Sequence, residues 1–141
     1  MPKLSIVEKV IALEGVEIFV NLTPDQIARI AVIAKEVQFA PGELLVDPSN
    51  HIDALYVVME GAVELRHGDE PLSIVRQGHA LGMWAIVNGM DPMQLTAKAV
   101  QDTSVLRIDR EDFYELLSDN TEITSGIFSV LVQRLHAGGV R

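Results

Sequence analysis

Gly78-His79-Ala80-Leu81-Gly82-Met83-Trp84-Ala85-Ile86-Val87-Asn88-Gly89 reads as a strand end, a tight glycine turn and one turn of helix. Asp91-Pro92-Met93-Gln94 then makes a loop, and Leu95-Thr96-Ala97-Lys98-Ala99 returns as a strand. A helical turn that starts this way presents free backbone N–H groups, which attract an anion, and glycine lets a ligand come close to the backbone. The stretch is therefore read as a cradle. Gly82, Met83, Trp84 and Ala85 form one wall, and Met93, Gln94 and Leu95 form the other.

Upstream of the cradle the hydrophobic period is first helical and then strand-like. Leu4, Val7, Val10 and Ile11 recur at helical spacing, which predicts a helix over about residues 3–13, ended by Gly15. Val16-Glu17-Ile18-Phe19 is a short apolar connector. Thr23 is a capping residue, Pro24 suits the first helical position and Gln26 completes a capping box. Ile27, Ile30, Ala31 and Ala34 give that second helix its buried face. After Lys35 the period falls to two. Strands are predicted around Val37 and Phe39, at Leu44–Val46, Ala54–Met59, Ala62–Arg66, Leu72–Val75, Leu95–Ala99 and Ser104–Ile108.

Helix returns at the end. Asp109 is positioned to cap Arg110–Leu117, and Asn120 or Thr121 to cap a last helix reaching about His136. Ile123, Ile127 and Val130 make one apolar stripe on that helix; Phe128, Leu131 and Leu135 make its neighbour. One stripe is expected to pack on the barrel and the other to meet a partner, with Ile123, Ile127, Val130 and Leu131 named as the dimer face. The alternative is that both are buried within one chain.

The fold class is α+β, mainly β: an antiparallel jelly-roll barrel, or double-stranded β-helix, flanked by helices at both ends. One domain spans 1–141, with N-terminal helices over 1–35, barrel over 36–109, cradle over 78–99 and C-terminal helices over 110–138.

The order and spacing of these pieces resemble the cyclic-nucleotide-binding domain family, as in the effector domains of Crp/Fnr-like proteins. Phe39-Ala40-Pro41-Gly42-Glu43 is similar to the family's Phe-x-x-Gly-Glu entry to the barrel. Ala54-Leu55-Tyr56-Val57-Val58-Met59-Glu60-Gly61 is similar to its Leu-Tyr-Ile-Val-x-x-Gly strand. The cradle matches its phosphate-binding cassette, Gly-x-x-Phe-Gly-Glu-x-Ala-Leu followed by Pro-Arg-Ser/Thr-Ala. The resemblance implies a Glu that binds the ribose hydroxyl and an Arg that binds the cyclic phosphate. Those two positions are Met83 and Met93 here.

A thioether offers no N–H donor and only a weak acceptor. Leaving a buried phosphate without its cation costs about 3–5 kcal/mol, or roughly two to three orders of magnitude in affinity. The reading that follows is a regulatory, ligand-sensing or protein-interaction module that does not hold cAMP or cGMP tightly and carries no cofactor. Met83, Trp84 and Met93 then either fill the pocket themselves or shape it for an apolar ligand. The alternative is a cyclic-nucleotide sensor that uses backbone amides with Gln94 and Lys98.

A cupin-like metalloenzyme is the third reading of a jelly-roll barrel. The four histidines, His51, His67, His79 and His136, include no His-x-His pair, and no catalytic constellation or metal-ligand spacing is present. Asp47, Asp53, Glu60 and Glu64 sit at turns or alternate outward along a strand.

The rest of the composition narrows the setting. The chain of 141 residues contains no cysteine, so it has neither disulfides nor thiolate ligands. Its net charge of −9 without a basic stripe argues against nucleic acid. Glu8, Glu14 and Glu17 are out of place in a signal peptide, and no apolar run is long enough to span a membrane. A cytoplasmic protein is expected, without membrane contact. It is expected to act either as a homodimer or as part of a larger protein; with its end at Arg141, just after the last helix, it is read as a stand-alone protein or a piece of a larger one.

Overall fold

Ser5 and Glu8 begin the first helix by exchanging side-chain-to-backbone hydrogen bonds, Glu8 N donating to Ser5 Oγ and Ser5 N to Glu8 Oε1. This capping box starts α1 at Ile6 and carries it to Glu14, so the helix begins later than its apolar period suggests. The structure is a computed structural model that describes residues 4–46, 54–82 and 95–137, with 134–137 as backbone only. Glu17–Phe19 forms a short 3-10 turn that buries Ile18 and Phe19. Thr23 and Gln26 make a second capping box with Pro24 at the helix start, and α2 runs Pro24–Ile33.

Eight strands follow among the described residues: β1 Lys35–Phe39, β2 Leu44–Val46, β3 Ala54–Glu60, β4 Ala62–His67, β5 Glu70–Arg76, β6 Ala80–Leu81, β7 Thr96–Ala99 and β8 Thr103–Asp109. They form two four-stranded antiparallel sheets. One has the order β1-β8-β3-β6, and the other β2-β7-β4-β5. The expected jelly-roll of antiparallel strands with flanking helices is what the chain adopts. Pro71 lies inside β5, where the strand is at a sheet edge and proline's missing N–H disrupts no second ladder.

β3 is apolar at nearly every position because the first sheet has a core on each face. Leu55 and Val57 join Leu106 and Ile108 of β8 against Leu13, Phe19, Ile27, Ile30 and the C-terminal helices. Ala54, Tyr56 and Val58 turn the other way, into the barrel, with Val46, Val63, Val75, Leu81, Ala97 and Val105. The helices thus close one side of this sheet and the second sheet closes the other.

The chain ends in α3, Arg110–Asp119, and α4, Thr121–Ala137. Phe113 of α3 is fully buried. Two expectations are corrected here. Asp109 precedes α3, but its side chain makes no capping hydrogen bond. It is drawn instead to two cations, Lys35 Nζ at 2.9 Å and Arg107 Nε at 2.7 Å. The second correction concerns α4. Ile123, Ile127 and Val130 face the chain's own core, at 0%, 5% and 3% exposure, and Leu131 packs against the same core. Ile123, Ile127 and Val130 are thus taken up by the chain's own core, and Leu131 is partly buried beside them. Phe128, 64% exposed, marks the outward side of the helix.

Candidate ligand cassette and its frame

The backbone on the N-terminal side of the cassette is tied to β3. Gly78 N donates to Val58 O at 2.9 Å, and Val58 N donates to His79 O at 3.0 Å. β6 then pairs Ala80 with Val57 and Leu81 with Tyr56. Gly82 follows with φ of 98°, a left-handed conformation that a side chain disfavours. On the return side Leu95 is buried, and β7 runs between β2 and β4.

Of the predicted site residues, Gly82 and Leu95 belong to this frame. Met83, Trp84, Ala85, Met93 and Gln94 lie outside the described residues, as do His51, Asp47 and Asp53.

Lys98 is the cation that the sensor reading relies on, and its placement is a correction. Ala97 and Ala99 are fully buried, with Ala97 in the barrel core, so the alternating positions Thr96 and Lys98 lie on the outer surface of the sheet. Its register neighbours are Leu44 on β2 and Glu64 on β4. A lysine in register with a glutamate on the outer face of a sheet is turned away from the barrel interior. Glu64 is itself 3.0 Å from Arg66 Nε.

The barrel-facing residues of the described core are almost wholly apolar: Val46, Ala54, Tyr56, Val58, Val63, Val75, Leu81, Ala97 and Val105. Two cations share their parity at the rim, Lys35 and Arg107, which pair in register. Arg107 pairs in register with Tyr56, which pairs with Leu81, the residue just before Gly82. The sequence contains this signal, since Arg107 lies two residues from Val105 on one strand, but it is hidden by the neighbouring Leu106 and Ile108. Arg107 is already engaged with Asp109. The hydrogen bond from Lys35 and the contacts of Arg107 hold the Asp109 carboxyl below its ordinary pKa against the opposing effect of burial. Lys35, in return, is raised by its hydrogen bond to Asp109.

His67 and His79 are exposed, and among the described residues no three His, Asp or Glu side chains converge as a metal ion would require. No helix among them is long and apolar enough to cross a membrane.

Residues 36–120 match the family model of the cyclic nucleotide-binding domain. The chain belongs to this family. Its sequence relatives place the domain in larger proteins. An HTH-type transcriptional regulator (Cmr) of Mycobacterium tuberculosis is 26% identical over 83% of this chain and 49% of its own length. The potassium channel SKOR of Arabidopsis thaliana is 26% identical over 74% of this chain and 13% of its own. The chain thus spans at most about half the length of these relatives. Among solved structures, the N-terminal domain of a transcriptional regulator from Streptomyces coelicolor A3(2) superposes with a TM-score of 0.80. It is 24% identical, with 91% of this chain and 94% of that one covered. The catabolite activator protein of Thermus thermophilus gives 0.71 at 22% identity, over 86% and 59%. These two likenesses establish the shared fold. The family is one of regulatory domains.

Proposed function

We propose that this cyclic nucleotide-binding domain acts as a regulatory or protein-interaction module that does not hold cAMP or cGMP tightly. It is not a catalyst, carries no cofactor or metal, and works in the cytoplasm, as a homodimer or as part of a larger protein. Contact with nucleic acid or membrane is not part of its role. One observation carries the reading: Met83 and Met93 occupy the family's two charged ligand positions, and Lys98, the nearest cation along the chain, belongs to the outer face of the sheet. A cyclic phosphate in this barrel would be left without its charge-assisted partners, which are the strong contacts in such a site.

Titration calorimetry with cAMP and with cGMP tests this. Negligible heat up to millimolar nucleotide is expected, and dissociation constants in the micromolar range would overturn the reading.

A second reading has support from the register of the first sheet. In a nucleotide sensor, Arg107 rather than Lys98 would supply the cation, because its position shares the inward parity of Tyr56 and Leu81. Nucleotide binding that is abolished by Arg107→Met and untouched by Lys98→Met would select it.

A further inference from the structure

Asp109 stands at the joint between barrel and C-terminal helices, and it has two competing uses. Its backbone is in the extended conformation of a helix cap, with φ −66° and ψ 141°, directly before Arg110. Its carboxylate is turned to Lys35 and Arg107 instead. Lys35 opens β1, one residue after Ala34, the C-cap of α2. The pair therefore joins the start of the barrel to its end. Arg110, Glu111 and Asp112 line the same shallow hollow.

We propose that Asp109 is a two-position switch. In one position its carboxylate latches β8 to Lys35 and Arg107; in the other it caps α3 by accepting from the N–H groups of Glu111 or Asp112. The two positions are close in free energy. The cations are well exposed, with side chains 62% and 39% accessible, and ion pairs of that kind contribute little in water. A carboxylate at a helix start gains a comparable amount from the orphan N–H groups and the helix dipole. Whatever takes Lys35 or Arg107 away from Asp109 would tighten the first turn of α3. A signal at the barrel rim would then reach the helices.

The latch is one of several polar ties between N-terminal and C-terminal segments. Arg29 of α2 donates to Asn120 between α3 and α4. Asn21 donates to Ser129 of α4 at 2.9 Å. These two bonds hold the helices in place whichever way Asp109 turns, which confines the change to the start of α3. The inference does not depend on whether the barrel takes a nucleotide.

Amide hydrogen exchange on the 141-residue chain tests it. In the double variant Lys35→Met, Arg107→Met, the Glu111 and Asp112 amides should exchange about three- to tenfold more slowly than in the wild type, as a gained cap hydrogen bond requires. In wild type the same two amides should gain protection as salt screens the ion pairs, and in Asp109→Ala they should not. The salt series needs only wild type and the single variant Asp109→Ala, so it decides the question even if the double variant fails to fold. Unchanged or faster exchange in the double variant, or a salt response that survives in Asp109→Ala, would overturn the proposal.

Discussion

Gly61 lies so close to Thr103 that a β-carbon on it would come within 2.5 Å of the threonine hydroxyl, and it would also strike the Asp102 carbonyl oxygen. Gly61 has φ of 91°, in the left-handed region. Thr103 is 1% exposed, and its hydroxyl donates to Gln101 O at 2.8 Å and accepts from Ala62 N at 3.3 Å. The hairpin between β3 and β4 is thereby clasped to the start of β8. Gly61→Ala brings both backbone strain and a clash with atoms that cannot move aside. A loss of more than about 3 kcal/mol is expected, measured by urea denaturation. Near-wild-type stability would mean that the clasp opens freely.

The acid limb of stability should depend on Asp109. Its carboxyl is held below the ordinary 3.8 by Lys35 first and Arg107 next, against burial. A depressed carboxylate contributes stability that is fully present above the unfolded value and is lost as pH falls through the lower folded one. Lys35 and Arg107 face it, and Arg110, Glu111 and Asp112 line the same hollow. Asp109→Asn should therefore be less stable than wild type at pH 7 and lose less between pH 4 and pH 2. The contribution is small because the cations are exposed. Parallel curves across that window in thermal melts would refute the assignment.

Restoring the charged groups in the cassette should create nucleotide affinity. Met83→Glu with Met93→Arg is expected to tighten cAMP or cGMP binding on the order of a hundredfold, read by calorimetry. Lys98→Met in that background should leave the affinity unchanged, because Thr96 and Lys98 share the outer face of β7. An inert double variant would indicate that side chains fill the cavity.

Two neighbouring residues on α4 should behave oppositely. Ile127 is 5% exposed, so Ile127→Glu buries an unpaired charge and costs more than about 3 kcal/mol. Phe128 is 64% exposed, so Phe128→Glu should shift chain stability by about 0.5 kcal/mol or less. Light scattering on the Phe128 variant then reports self-association without the confounding effect of unfolding. A folded, stable Ile127→Glu protein would contradict the burial described above.

Much of the scaffold was legible because its signals are local. Thr23, Pro24 and Gln26 specify the start of α2 through contacts three residues apart. The alternation and turn glycines of residues 36–109 specify strands. Ser5 and Glu8 carry the same kind of local signal, which the apolar period of Leu4 and Val7 obscured. The two-residue strand β6 has no period of its own and forms only because β3 is there to pair with.

The sequence by itself determined the order of helices and strands, the place of the cassette and the identity of its two thioethers, because covalent neighbours and short periods decide those. Only the tertiary structure decided which way each element faces. Lys98 lies outward because Ala97 fills the barrel, and Ile127 inward because α4 rests on the core against Leu22 and Phe19. Asp109 turned from its helix to Lys35, 74 residues earlier in the chain. No local period carries that information, since orientation is set by what the rest of the chain brings alongside.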